Sequence, residues 1–538
     1  MNVESKKTII DNQKNAHRYG LLSMLALIIG IVIGSGIYVV NDQLYKDSNG
    51  STGISMIAWI VVSLIVLFML ISFIEVSSIT SKKHEAGTVN NWSRHLWGEN
   101  ISKYVGIFFP IIYYPVLLTG FSLIMSTELM SNVNSFDSLD SKNETWMYFI
   151  YVSIIAFIVL NLIFGLNTFT SKPGKNLQEI GTFIKLIPLF LIVIVGFIAI
   201  VGLMNAPPAN DVFDTTQTTG DDNVFKLILI LSPTVMFSYD GFLFAASLQN
   251  EAKKKSTFKT AAITGVVFII LIYILMSFFT FAYGDPTTGD YSVNGAFHNL
   301  FPNVGNWFFT LISVIIVISV ITGISGNTIT QGRMIADVSV ENQIADKNGN
   351  LIARNKAFVP QKSVQIGWIL SIITFVIFTF LDAFSTMAYL KDYSPDIIYS
   401  PNAVMSNALN DLVLIAFAFY AFIIVGGLFN RWTGRVEVDK NKLFIPSAII
   451  SSIAIVVILI VFAIDIFSPN DLNNHAYNLY NYILQIVIFV TVIALIISVP
   501  LYLQKDVKKL TKEEKKNKRK LIIAYNRQKI DPRYKNKK

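Results

Sequence analysis

The chain has no cysteine. That excludes disulfides, thiolate metal centres and cysteine nucleophiles. Histidine is nearly as scarce. His17, His84, His95, His298 and His475 are the full set, and each falls outside the long apolar runs, which argues against a histidine-built metal site at membrane depth. Charged residues make up only 14% of the 538 positions, against about 25% in a soluble domain. No HExxH and no paired DxD cluster occurs. A membrane-embedded acyl- or glycosyltransferase would need such acid–base or metal groups, so the chain reads as not an enzyme, with no cofactor and no metal. No nucleic-acid module is visible, although the net charge is +8. That charge is local: residues 505–538 hold 15 Lys/Arg against 4 Asp/Glu, a net of +11, and the other 504 residues sum to −3. A solvated basic tail, compatible with contact to anionic membrane lipid, accounts for it.

What the chain does have is apolar sequence. Hydrophobic residues make up 53% and mean hydropathy is +0.54, which marks a polytopic membrane protein. A hydrocarbon core needs about 20 apolar residues per helix. Twelve stretches qualify, near 20–40, 54–79, 102–130, 145–167, 177–203, 224–249, 258–283, 306–332, 364–383, 403–430, 444–467 and 478–503. The alternating ten-residue segments of a β-barrel are missing. Alternate loops carry the cations: Lys82, Lys83 and Arg94; Lys172 and Lys175; Lys253, Lys254, Lys255 and Lys259; Arg333 to Lys362; and Arg431 to Lys442. Positive charge stays inside, so both termini are expected in the cytoplasm. The first apolar run is too long for a signal peptide and reads as a retained span.

Two of these spans are damaged near their middles. The first contains IVIGSGI at 31–37. The sixth contains LSPTVMFSYDGFLFAAS at 231–247, with Pro233, Ser238, Asp240 and Gly241 in an otherwise apolar run. Glycine costs a helix interior about 1 kcal/mol relative to alanine, proline removes a donor, and an aspartate at bilayer depth costs at least about 2.5 kcal/mol. Either Gly34-Ser35-Gly36 admits a close helix neighbour, or the helix breaks there. Two defects five spans apart favour breaks, the mark of an inverted-repeat transporter. Broken ends expose N–H groups that suit a carboxylate and C=O groups that suit an ammonium. An α-amino acid presents both charges.

At these residues the chain resembles the amino acid–polyamine–organocation superfamily of permeases. GIVIGSGIY (30–38) looks like its carboxylate-binding turn. The stretch from ISFIEVSSIT through the re-entrant loop to Gly106 carries Glu75 and Ala86-Gly87-Thr88, where a Gly-Gly pair is common. QEIGTFIKLIPLFLIVIVG (178–196) is similar to its fifth span, and MFSYDGFLFAASLQNEAKK (236–254) to its sixth. The resemblance implies an all-α fold of 12 transmembrane helices. These would form a five-plus-five inverted repeat (the LeuT-like fold) with broken first and sixth helices. The expected parts are a cytoplasmic segment at 1–19, repeats at 20–203 and 224–430, two further helices at 444–503, and a basic tail at 504–538. It implies that Ile33, Gly34, Ser35, Gly36 and Ile37 line the carboxylate side. Phe237, Ser238, Tyr239, Asp240 and Gly241 would hold the amino group and wall the side chain, with Phe237 or Tyr239 as a gate. For Asp240 a structural carboxyl is the plainer reading.

Lys185 lies inside the fifth apolar run. In resembling proton-coupled permeases a lysine at this point fills the place of sodium, which makes a proton the expected coupling ion; a side chain snorkelling to the interface is the alternative. The Gly-, Ser- and Thr-rich eighth span (VITGISGNTITQGRMIADVS, 320–339) either coordinates an ion or packs helices closely. Asp382 and Asp465 fall near outer ends and are expected to be interfacial. The resulting expectation is a plasma-membrane permease importing an amino acid by alternating access, coupled to protons. An amino acid exchanger and a polyamine carrier are the alternatives.

Overall fold

The computed structural model describes residues 20–34, 36–83, 87–130, 142–170, 181, 183–204, 206–215, 223–243, 255–286, 290–355, 359–391, 399–468, 476–511 and 513–514. Among them the regular structure is helical, with one isolated β-bridge between Asp285 and Asp290. Among the described residues, nine helices are long and apolar enough to cross a membrane. The other three expected spans appear as two shorter apolar helices and a divided one.

The divided one is the first. Helix α1 (Leu21–Val32) ends, and α2 (Gly36–Asp47) begins four residues later. The second span is α3 (Thr52–Val76), started by Ser51, whose side chain accepts the Ile54 N–H, a regular N-cap. The expected re-entrant loop is helical where described: α4 (Ser78–Lys83), then α5 (Val89–Trp97), capped by Thr88. Gly98 follows at φ 89°, a left-handed turn that a side chain would strain. Helix α6 (Glu99–Ile107) then runs through a π turn (Phe108–Tyr113) into α7 (Tyr114–Met130). The fourth span is α8 (Lys142–Phe169). The fifth is α9 (Leu186–Ile200) and the sixth α10 (Val224–Tyr239). After α11 (Lys255–Tyr283), a short helix α12 (Val293–Leu300) precedes α13 (Asn306–Val340). The chain continues through α14 (Gln361–Lys391), α15 (Ala403–Thr433), α16 (Phe444–Phe467) and α17 (Ala476–Lys508).

Several helices outrun the apolar stretch that announces them. Helix α13 has 35 residues, about 52 Å at 1.5 Å per residue, so it projects beyond a hydrocarbon core of about 30 Å. Arg333, expected to close that span, is exposed and seven residues short of the helix end.

Helix α10 packs against α2, α3 and α15, while α1 lies along α11. A buried polar network joins four of these pieces. Trp59 Nε1 donates to Asn41 Oδ1 at 2.8 Å, and Asn41 Nδ2 to Thr280 Oγ1 at 2.6 Å. The Ser63 and Tyr239 hydroxyls meet at 2.6 Å. A satisfied buried hydrogen bond contributes about 1 kcal/mol, but an orphaned member costs more. The network therefore fixes how α2, α3, α10 and α11 sit together. Asp382 departs from expectation. It is buried, and its Oδ1 accepts the Val404 N–H at 2.9 Å. A side chain of α14 thus caps the first turn of α15, and the free donors there explain why an acid is drawn inside.

Candidate functional site

Both interruptions lie where the sequence places them, though Pro233 is not the breaking point. Helix α10 continues past it to Tyr239. The break comes at Asp240, whose backbone is extended (ψ 139°), and at Gly241, where φ is 95°. In the first span Ile33 is extended (φ −69°, ψ 101°) and helix resumes at Gly36. Ser35 lies outside the described residues, as do 244–250 after the second break.

The two breaks touch. A Cβ added at Gly36 would stand 3.0 Å from Ser238 Cα, 3.1 Å from Phe237 Cδ1 and 3.2 Å from Ser238 Oγ. A side chain there would force these neighbours to give by a few tenths of an ångström. Among the described residues, a Cβ at Gly34 would meet nothing nearer than Val32 O at 3.9 Å, and the buried Ser238 Oγ has no hydrogen-bond partner. Tyr273 of α11 reaches both broken ends: its hydroxyl donates to Ser238 O at 3.3 Å and lies 3.5 Å from Val32 O. Its ring packs against Tyr239, centroids 5.2 Å apart, and Trp59, 5.8 Å.

Of the two aromatic candidates, Tyr239 is fully buried and held by Ser63. Phe237 instead meets Phe121 of α7 edge-on, centroids 5.7 Å apart, and Phe121 also borders Gly323 of α13. Ile33 and Ile37 are fully buried. Asp240 keeps part of its surface open and faces the phenols of Tyr113, Tyr114 and Tyr420. Two of those tyrosines sit where the π turn passes into α7. Pro110 and Pro115 donate no N–H, so the α ladder cannot close there, and Gln331 of α13 donates to Pro110 O at 3.1 Å. π turns often mark functional positions.

Lys185 is buried at a turn just before α9. Its Nζ donates to Gly30 O at 2.5 Å, and its own carbonyl accepts the Tyr38 hydroxyl. The ammonium is inside the fold rather than extended to the interface, and it satisfies one of the carbonyls that α1 leaves unpaired at its end.

The sequence reading singled out the residues of both breaks and Lys185. It missed Tyr273, Asn41 and the π turn. The two prolines in FFPIIYYP were a signal for the last. Nothing in one apolar run marks which tyrosine of another will bridge to it.

The family described as amino acid permease matches residues 19–503. Three relatives are similar to this chain along much of its length. A Mycoplasma pneumoniae protein described as uncharacterized is 22% identical over 80% of this chain and 81% of its own. An arginine/ornithine antiporter of Lactococcus lactis is 23% identical over 80% and 82%. A serine/threonine exchanger of Bacillus subtilis is 26% identical over 59% and 66%.

Proposed function

The chain belongs to the amino acid permease family, within the amino acid–polyamine–organocation superfamily, and on that premise we propose that it exchanges amino acids across the plasma membrane. The observation that carries the proposal is the contact of the two helix breaks at Gly36 and Ser238, beside an unpartnered buried hydroxyl. The N–H groups opening α2 receive the substrate carboxylate, around Ile33 to Ile37. The carbonyls closing α10, with Ser238 and Asp240, receive the amino group. Phe237, set against Phe121, closes over the bound molecule. Twelve spans in a five-plus-five inverted repeat, with both termini in the cytoplasm, carry this cycle. Exchange is favoured over import because similar proteins are described as an arginine/ornithine antiporter and a serine/threonine exchanger. Asp240 offers a carboxylate to an ammonium or guanidinium, so arginine and ornithine head the substrates to test.

Proton-coupled import is the second reading, and the buried Lys185 favours it. Proteoliposomes decide between them. Exchange predicts that labelled amino acid enters quickly only when the lumen holds unlabelled amino acid, whatever the pH gradient. Equal uptake into empty vesicles, abolished by a protonophore, overturns exchange.

A further inference from the structure

We propose that Glu75 is a positioning residue for transport. Together with Arg431 and the strap at 434–443, it forms a latch that keeps the basic end of the molecule shut and parts when substrate leaves on that side. The inference rests on the transport reading above, but its test does not need a transported substrate.

Glu75, near the end of α3, is buried. Arg431, near the end of α15, lies at the rim with 15% of its side chain exposed. One arm of the guanidinium donates to the carboxylate, Nη2 to Oε2 at 2.7 Å, and Nε lies 2.7 Å from Oε1 as the rest of the ion pair. The same Oε2 accepts the Asn441 N–H at 2.6 Å, and Arg431 Nη2 also donates to Asn441 O at 2.8 Å. Asp439 N donates to Ser78 Oγ at 2.8 Å, so the strap is fastened to α4 as well. Lys440 adds a second positive charge near Glu75.

Aromatic rings pack between α3, α5, α15 and the residues that follow Asp240. Phe242, two residues past Asp240, meets Phe417 at 5.6 Å and Tyr420 at 5.9 Å between centroids. Tyr420 stacks on Phe109 at 5.6 Å and 4°. Phe73 of α3 touches Tyr420 at 6.2 Å and Trp92 of α5 at 5.6 Å. The layer is buried and mostly apolar, with the Trp92 indole N–H held by Thr80. Ring packing by itself is a weak guide to register. A charge-assisted hydrogen bond, with Asn441 tied to both partners, supplies the direction. A buried ion pair adds little net stability over apolar packing, but removing one partner strands the other. Arg431 at the rim can return to water when the helices separate. Loss of the Glu75 charge therefore favours separation, in keeping with a ligand-free two-state equilibrium.

The absence of native cysteine gives the experiment a clean background. Thr80, buried beneath the rings, accepts the Trp92 indole N–H at 3.0 Å. In a Thr80→Cys background, an impermeant thiol reagent applied to the basic face reads how often that face opens. Glu75→Gln is expected to raise the labelling rate on the order of tenfold. It is also expected to move half-saturation for exchange in opposite directions on the two faces. Pairing Glu75→Arg with Arg431→Glu is expected to return labelling most of the way to the parent rate. Arg431→Lys, which keeps the charge but loses the Nη2 donor shared by Glu75 and Asn441, is expected to fall between the two, and it reads the latch should Glu75→Gln fail to fold. Unchanged labelling in Glu75→Gln and Arg431→Lys overturns the latch, as does a swapped pair that labels as fast as Glu75→Gln. Exchange that proceeds while labelling stays unchanged removes the latch alone. Faster labelling in a protein that exchanges no amino acid removes the transport reading alone.

Discussion

Gly36→Ala and Gly34→Ala test whether the meeting of the two breaks is a built contact. The added methyl at Gly36 would stand 3.0 Å from Ser238 Cα and 3.1 Å from Phe237 Cδ1, where carbon pairs prefer about 3.5–4.0 Å. The first obstacle is backbone and cannot rotate aside, so α10 must give by a few tenths of an ångström. Overpacking of this kind costs about 1–3 kcal/mol. Alanine also gains up to about 1 kcal/mol over glycine in a helix, here at the first residue of α2. The expected balance is a loss of roughly 1–2 kcal/mol. Detergent-solubilised Gly36→Ala should therefore melt a few degrees below the parent even without substrate. Gly34→Ala meets nothing within 3.9 Å and should melt with the parent. Its methyl enters the gap assigned to the carboxylate, so its cost should appear as weaker substrate-induced thermal stabilisation. If Gly36→Ala melts with the parent and Gly34→Ala melts below it, the packing argument fails.

Further outcomes follow from single contacts. Lys185→Ala strands Gly30 O and should weaken exchange; if Lys185 couples protons, any acceleration of uptake by external acid should vanish with it, and retained acid acceleration removes it from that role. Asp382→Ala uncaps Val404 N and should cost about 0.5–2 kcal/mol, read as a lower melting temperature, with Asp382→Asn losing less. A melting temperature equal to the parent's would refute the cap. Trp97→Phe keeps the stack on Phe422, centroids 4.5 Å apart, but loses the N–H donated to Phe422 O, so it should cost about 1 kcal/mol by the same measurement.

The breaks were legible because glycine, serine and aspartate are costly where nothing but apolar sequence surrounds them. Lys185 was legible for the same reason: an ammonium in the run IGTFIKLIP is conspicuous. Asp382 was misjudged because distance from a span end was taken as a proxy for exposure. The demand that decided its place came from the first turn of α15, which is remote in sequence. Glu75 and Arg431 were each visible, one in the second-span motif and the other among the loop cations, yet their pairing spans 356 positions and leaves no trace in either neighbourhood. Tyr273 illustrates the general limit. Its ring looks like any other aromatic in a long helix until the partner backbone has been cut.

Lys185 touches both pieces of the first span, α1 through its ammonium and α2 through its carbonyl. A displacement of α9 is consequently delivered to the two pieces together. Sliding the two pieces apart would stretch or break one of these two ties, so a residue outside the first span restrains how its halves separate.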